Sequence, residues 1–158
     1  MNSLEKPFDQ ASYAEHCNRI IQRRFPHRLR PPTRYEYNLD QYLEMGVGTM
    51  ATEDKEVFLQ ALEDVVLKYL HEVGVEHNDI RPGNVMVVVS AGRVTPVLTG
   101  FGMARKIGER LPISLGKKSE GRKEMCLGWR DEGESYETSE VRHDVFALGK
   151  MKRWLAGV

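Results

Sequence analysis

Between Thr52 and Val73 apolar residues recur in pairs three to four positions apart: Val57 and Phe58, Ala61 and Leu62, Val65 and Val66, Tyr69 and Leu70, then Val73. That period matches the turn of an α-helix and leaves the opposite face acidic and polar, so one amphipathic helix is predicted over residues 52 to 73. Thr52 is the expected N-cap, and Glu53 and Asp54 put negative charge in the first turn, where the helix dipole favours it. Gly74 is expected to stop the helix in a left-handed conformation. The period then changes. Val85-Met86-Val87-Val88-Val89 and the run from Arg93 to Leu98 flank Ser90-Ala91-Gly92, the pattern of a β-hairpin. Pro96 has no N–H to offer a neighbour, which puts the second strand at an exposed edge. A last apolar helix is predicted from Asp144 to Trp154, carrying Val145, Phe146, Leu148, Met151 and Trp154, with Leu155 just beyond. Asn38 to Met45 reads as a short helix with Tyr42 and Leu43 turned inward.

Composition narrows the class without naming a chemistry. The 158 residues are 41% hydrophobic and 29% charged, ordinary for one soluble globular domain. Twenty-three basic and 23 acidic residues cancel, so neither nucleic acid nor a membrane surface is an expected partner. No apolar run approaches the roughly 18 residues of a membrane span, and the first residues lack a secretion pattern, which leads to the expectation of an intracellular, cytoplasmic protein. Cys17 and Cys126 have no metal-ligand spacing and are expected to be reduced thiols. Residues 1 to 37 are expected to form a separate, poorly defined segment before a unit over 38 to 158. Six arginines and no acid fall between Arg19 and Arg34, broken by Pro26, Pro31 and Pro32. A solvated, irregular face is expected there, the alternative being a patch for phosphate or an acidic partner.

The chemistry concentrates in His77-Asn78-Asp79-Ile80-Arg81-Pro82-Gly83-Asn84. An Asp on such a loop can accept a proton from an attacking hydroxyl, and an Asn five residues on can turn its carbonyl oxygen to a divalent cation. Arg81 could neutralise charge on a transferring phosphoryl group. Pro82 and Gly83 make the stretch a turn.

His77, Asp79 and Asn84 together resemble the catalytic loop of the protein kinases, His-x-Asp-x-x-x-x-Asn, with Asn78 where arginine is usual. Two further matches follow in order. Leu98-Thr99-Gly100-Phe101-Gly102-Met103-Ala104-Arg105 resembles the metal-binding Asp-Phe-Gly segment, and Asp144-Val145-Phe146-Ala147-Leu148-Gly149 resembles the helix that supports the loop. The resemblance covers residues 38 to 155 and implies an α+β, mainly helical fold: a kinase-like C-terminal lobe with one hairpin after the catalytic loop, the N-terminal lobe being largely absent. It implies Asp79 as proton acceptor, Arg81 as its companion, Asn84 as metal ligand, His77 and Asp144 as structural supports, and ATP with Mg2+ as cofactors. In that setting Asp144 accepts backbone hydrogen bonds from the catalytic loop.

The chain departs from the pattern at three places. Gly100 stands where the family has the aspartate that bridges to the nucleotide's magnesium, and no acid lies between Ala91 and Ile107 to replace it. Gly46-Val47-Gly48 is too short, and too close to a charged helix start, for the glycine-rich phosphate loop. Lys6, Lys55 and Lys68 are the only lysines before the catalytic loop, none of them in an apolar strand-like run. Residues 104 to 123 carry seven basic and two acidic residues, and 131 to 140 five acidic and no basic ones; they occupy the place of the activation and substrate segment. Ser114, Ser119, Ser135, Thr138 and Ser139 are candidate phosphate acceptors, Arg105 and Arg110 candidate phosphate partners. Ordinary solvated loop is the expectation.

Two functions of different class follow. One is a catalytically impaired, pseudokinase-like binding module with a protein partner, its last helix presenting an apolar face. The other is an active phosphotransferase on protein serine or threonine, or a small-molecule kinase of the aminoglycoside or choline type; Arg81 and the Gly-Met-Ala-Arg flank favour the protein-kinase side. Gly100→Asp is expected to restore magnesium-dependent ATP affinity if the site is otherwise formed.

Overall fold

A computed structural model describes residues 36–44, 50–111, 128–133 and 135–157. The expectations for Arg19 to Arg34, Gly46 to Gly48, Cys17, Cys126, Ser114 and Ser119 lie outside them. The architecture is an α+β mix of helices and two small antiparallel sheets.

Strand β1, Tyr37–Asn38, leads directly into helix α1, Leu39–Glu44. Asn38 closes the helix start reciprocally: its Oδ1 accepts the Gln41 N–H at 2.9 Å, and its own N–H donates to Gln41 Oε1 at 3.1 Å. Leu39 and Tyr42 are buried and Leu43 packs against the core.

Helix α2 runs Thr52–Val65. Thr52 is its first residue rather than its cap: Ala51 holds the cap position and no side chain caps the end. The predicted 22-residue helix is also shorter and less regular than its pattern. After Val65 the backbone widens into a π-helical turn, Val66–Leu70, whose next residue His71 donates its N–H to Val66 O at 3.1 Å, five residues back. That extra residue per turn rotates the face that follows it. Val57 and Val73, expected inside, are 61% and 51% exposed, while Phe58, Leu62, Val66 and Leu70 are fully or nearly fully buried. Gly74 adopts φ +75°, the left-handed stop read from the sequence.

Strand β2, Val75–Glu76, pairs with β5, Arg105–Lys106, with Val75 opposite Lys106. Strands β3, Val85–Ser90, and β4, Arg93–Leu98, form the expected hairpin across the Ala91-Gly92 turn. The three-stranded sheet has the order β1-β3-β4, so Pro96 does lie on an edge strand. Helix α3, Val141–Ala156, is longer than predicted at both ends and packs against α2 and β2, its Met151 and Leu155 joining one core with Leu39, Phe58, Leu62, Val85 and Leu98. Its Val141 and Val145, one turn apart, are 40% and 48% exposed. Among the described residues no helix is long and apolar enough to cross a membrane.

Candidate active site

The hairpin determines the site. Its closing pair, Val85 opposite Leu98, extends by one residue on each side: Thr99 donates its N–H to Asn84 O at 2.8 Å and its hydroxyl to the same oxygen at 3.0 Å. The end of the His77 to Asn84 loop is thereby clamped to the residue before Gly100. His77 reinforces the clamp from the other side, its Nε2 2.8 Å from Thr99 O. With Nε2–H donating there, Nδ1 is left to accept the Asp79 N–H at 3.3 Å, which is the neutral ring. Burial, complete at His77, lowers its pKa and favours that form. The ring also meets Phe101 edge-on, centroids 4.8 Å apart.

Asp144 holds the loop's first residues. Its Oδ2 accepts the His77 N–H at 2.7 Å and its Oδ1 the Asn78 N–H at 2.8 Å, both across more than 60 residues of chain. Burial works against the carboxylate, but hydrogen bonds and neighbouring positive charge outweigh it and lower the Asp144 pKa. Asn78, where the pattern has arginine, is itself buried, with φ +62°. Its amide nitrogen lies 2.9 Å from Ser139 Oγ and 3.3 Å from both Glu76 O and Met103 O, and its Oδ1 3.2 Å from His143 Nδ1.

The reactive residues converge at the mouth of this frame. Asn84 Nδ2 donates to Asp79 O at 2.8 Å and to Asp79 Oδ2 at 2.7 Å, and Arg81 Nε stands 3.3 Å from Asp79 Oδ1. The Asp79 carboxylate is thus oriented by an amide and a guanidinium, while its side chain stays 14% exposed. Asp40, which no motif in the sequence singles out, is brought to the same loop by α1. A Cβ built on Gly83 would sit 3.7 Å from its Oδ2. Burial raises the Asp40 pKa, with Glu44 adding to the rise and Arg81 opposing it. An acid in the first turn of a capped helix is the one signal the sequence offers for it.

Gly100 is left-handed, φ +77°, and a Cβ there would lie 2.5 Å from Asn84 Cγ and Oδ1. The Asn84 amide therefore occupies the space beside residue 100. Of the two metal ligands that the resemblance implies, only the neutral amide of Asn84 is present, and it occupies the place a residue-100 Cβ would take. A side chain at residue 100, as in Gly100→Asp, would have to displace the Asn84 amide.

Beyond Gly100 the chain returns to the loop. Gly108 N–H donates to Ser139 O, Leu111 N–H to Glu137 O and Ser139 N–H to Glu109 O, each at 2.8 Å. Ser139, offered by its sequence as a phosphate acceptor, is fully buried and bonded to Asn78, so it is not available as one. Arg105 is likewise engaged, its Nη1 donating to Ala104 O at 2.6 Å. His143 stacks on Tyr136 at 3.9 Å, and burial lowers its pKa.

Behind the loop stand His71, Glu76 and Asp144, a group the sequence did not reveal. His71 Nε2 lies 3.0 Å from Glu76 Oε2 and 3.3 Å from Asp144 Oδ2. Burial alone would lower the His71 pKa, but the two acids outweigh it and raise it to about 9. Burial pushes Glu76 up to about 7 against the opposing pull of His71.

No protein-family model matches the chain. It is 35% identical over 109 residues to the serine/threonine-protein kinase chk-2 of Caenorhabditis elegans, an alignment covering 69% of this chain and 21% of the relative. Over 60 residues it is 40% identical to the serine/threonine kinase fhkD of Dictyostelium discoideum, covering 37% of this chain and 8% of that one. Over 73 residues it is 34% identical to the MRK1 homologue of Encephalitozoon cuniculi, also a serine/threonine kinase, covering 46% and 22%. The chain spans about a fifth or less of the length of these relatives.

Proposed function

Since the chain is related to the serine/threonine protein kinases, we propose that residues 38 to 158 are a kinase-like C-terminal lobe that is catalytically impaired and serves as a binding module for a protein partner. One observation carries the reading: Gly100, left-handed and carboxylate-free, lies against the Asn84 amide, which occupies the place a Cβ would take. Without that carboxylate, charge on the nucleotide phosphates is left uncompensated, and such compensation is commonly the largest catalytic contribution. The exposed pair Val141 and Val145 supports a protein partner.

A thermal-shift titration of the chain with ATP, with and without magnesium, tests the proposal. A working site saturated at about a hundred times its Kd would add about 2.7 kcal/mol, a rise of roughly 5–10 °C for a chain of this size. The expected result is no magnesium-dependent rise; a saturable one refutes impairment.

The oriented Asp79 carboxylate favours a second reading, phosphate transfer to protein serine or threonine with Asp79 as proton acceptor. The named relatives, all protein kinases, favour that over a small-molecule substrate. In that case Asp79→Asn abolishes transfer with little change in melting temperature.

A further inference from the structure

Glu76 takes no part in the candidate active site. It is fully buried in β2, and among the described residues neither carboxylate oxygen accepts a well-aligned hydrogen bond. Its nearest cationic neighbour is His71 Nε2 at 3.0 Å, but that nitrogen also faces Asp144 Oδ2 at 3.3 Å. One ring N–H cannot serve two carboxylates. Glu76 therefore shares one imidazole nitrogen with a second buried carboxylate, and its oxygens are left short of donors.

The spacing also suits a cation. One ligand atom from each residue lies within 4.8 Å of the other two. Donors bound tetrahedrally at about 2.0–2.2 Å from zinc stand roughly 3.3–3.6 Å apart, and the separations of 3.0 and 3.3 Å are close to that without any backbone movement. Two carboxylates and a neutral imidazole balance a divalent charge. Asp144 keeps its loop contacts, because a carboxylate offers about four acceptor positions and the His77 and Asn78 N–H groups use two. The His71 side chain is 10% exposed, which gives an entry edge.

We propose that His71, Glu76 and Asp144 form a structural site for a divalent metal ion of the zinc class. The nitrogen-plus-carboxylate set suits zinc or cobalt, whereas magnesium and calcium demand six or more oxygens. The ion ties the turn after α2, strand β2 and helix α3 together at the root of the catalytic loop. It is independent of any nucleotide site.

The test uses the full 158-residue chain stripped with EDTA. Zinc is titrated calorimetrically, with melting temperature followed in parallel, and cobalt is added separately to read its visible absorption. The expected result is one equivalent of zinc bound with a rise in melting temperature, and at least tenfold weaker binding in Glu76→Gln. Cobalt should give the intense bands of a four-coordinate site in the wild type and lose them in Glu76→Gln. Absence of zinc binding to the wild type overturns the proposal, as does equal binding to wild type and Glu76→Gln, which would place the ion on His16, Cys17 or other ligands. Should Glu76→Gln fail to melt cooperatively in EDTA, His71→Asn takes its place: weaker zinc binding supports the site and unchanged binding overturns it.

Discussion

Replacing Gly100 by alanine should be among the costliest methyl additions this fold can suffer. The left-handed backbone, φ +77°, costs a non-glycine residue about 1–2 kcal/mol. The new Cβ would lie 2.5 Å from Asn84 Cγ, inside any permitted contact, so the amide must leave. Leaving forfeits its bond to the Asp79 carboxylate, about 1.5–3 kcal/mol for a charged acceptor, and its bond to Asp79 O, about 0.5–1.5 kcal/mol. The total is about 3–6 kcal/mol. Gly92 provides the control: it is equally left-handed, φ +72°, with nothing within 4 Å of its Cβ, so Gly92→Ala should cost only the backbone part, about 1–2 kcal/mol. Urea unfolding with linear extrapolation measures both. Adding Asn84→Ala to Gly100→Ala removes the collision and should make the pair strongly non-additive. Equal costs for Gly100→Ala and Gly92→Ala, or simple additivity with Asn84→Ala, would show that Asn84 does not fill the space beside residue 100.

Two further outcomes can be measured on the same preparations. Asp144→Ala strands the buried His77 and Asn78 N–H groups and should cost about 3–5 kcal/mol in urea unfolding, against a much smaller loss for Asp79→Ala at the partly exposed mouth. In EDTA, the raised His71 pKa means the folded state holds a proton that the unfolded chain releases above about 6.5, so this contribution is present below that pH and lost as pH rises through about 9. Unfolding free energy should therefore fall more steeply between pH 6.5 and 9 in the wild type than in His71→Asn, and parallel curves would contradict the His71 assignment.

The parts of the fold that depend on near neighbours are legible in the sequence. The hairpin, its edge proline and the left-handed Gly74 each follow from side-chain shape acting within a few residues. The His77 to Asn84 loop announces itself by spacing alone. Helix α2 departs from its pattern at both ends for identifiable reasons. A threonine before acidic residues looks the same whether it caps or begins a helix, and the π-helical turn at Val66–Leu70 breaks the 3.6-residue period on which the pattern depends. That break turns Val73 outward, whereas Val57 already lies on the solvent side of the regular helix before it. Glu76 is invisible for a different cause: a lone acid beside a loop reads as surface, and only the return of α3, nearly 70 residues later, buries it beside Asp144. Ser139 likewise looks like an open hydroxyl because its partner, Asn78, lies 61 residues away.

The bonds that shape the catalytic loop have a consequence for the order in which the chain folds. Helix α2 and the hairpin close over short stretches, whereas Asn78 and His77 reach partners 61 to 67 residues along the chain. Contacts of such long range form only after loop-closure entropy has been met, so they come late on the folding path. The geometry of the loop that carries Asp79 therefore depends on the docking of α3, so a change that loosens α3 should disturb the loop before it disturbs the hairpin.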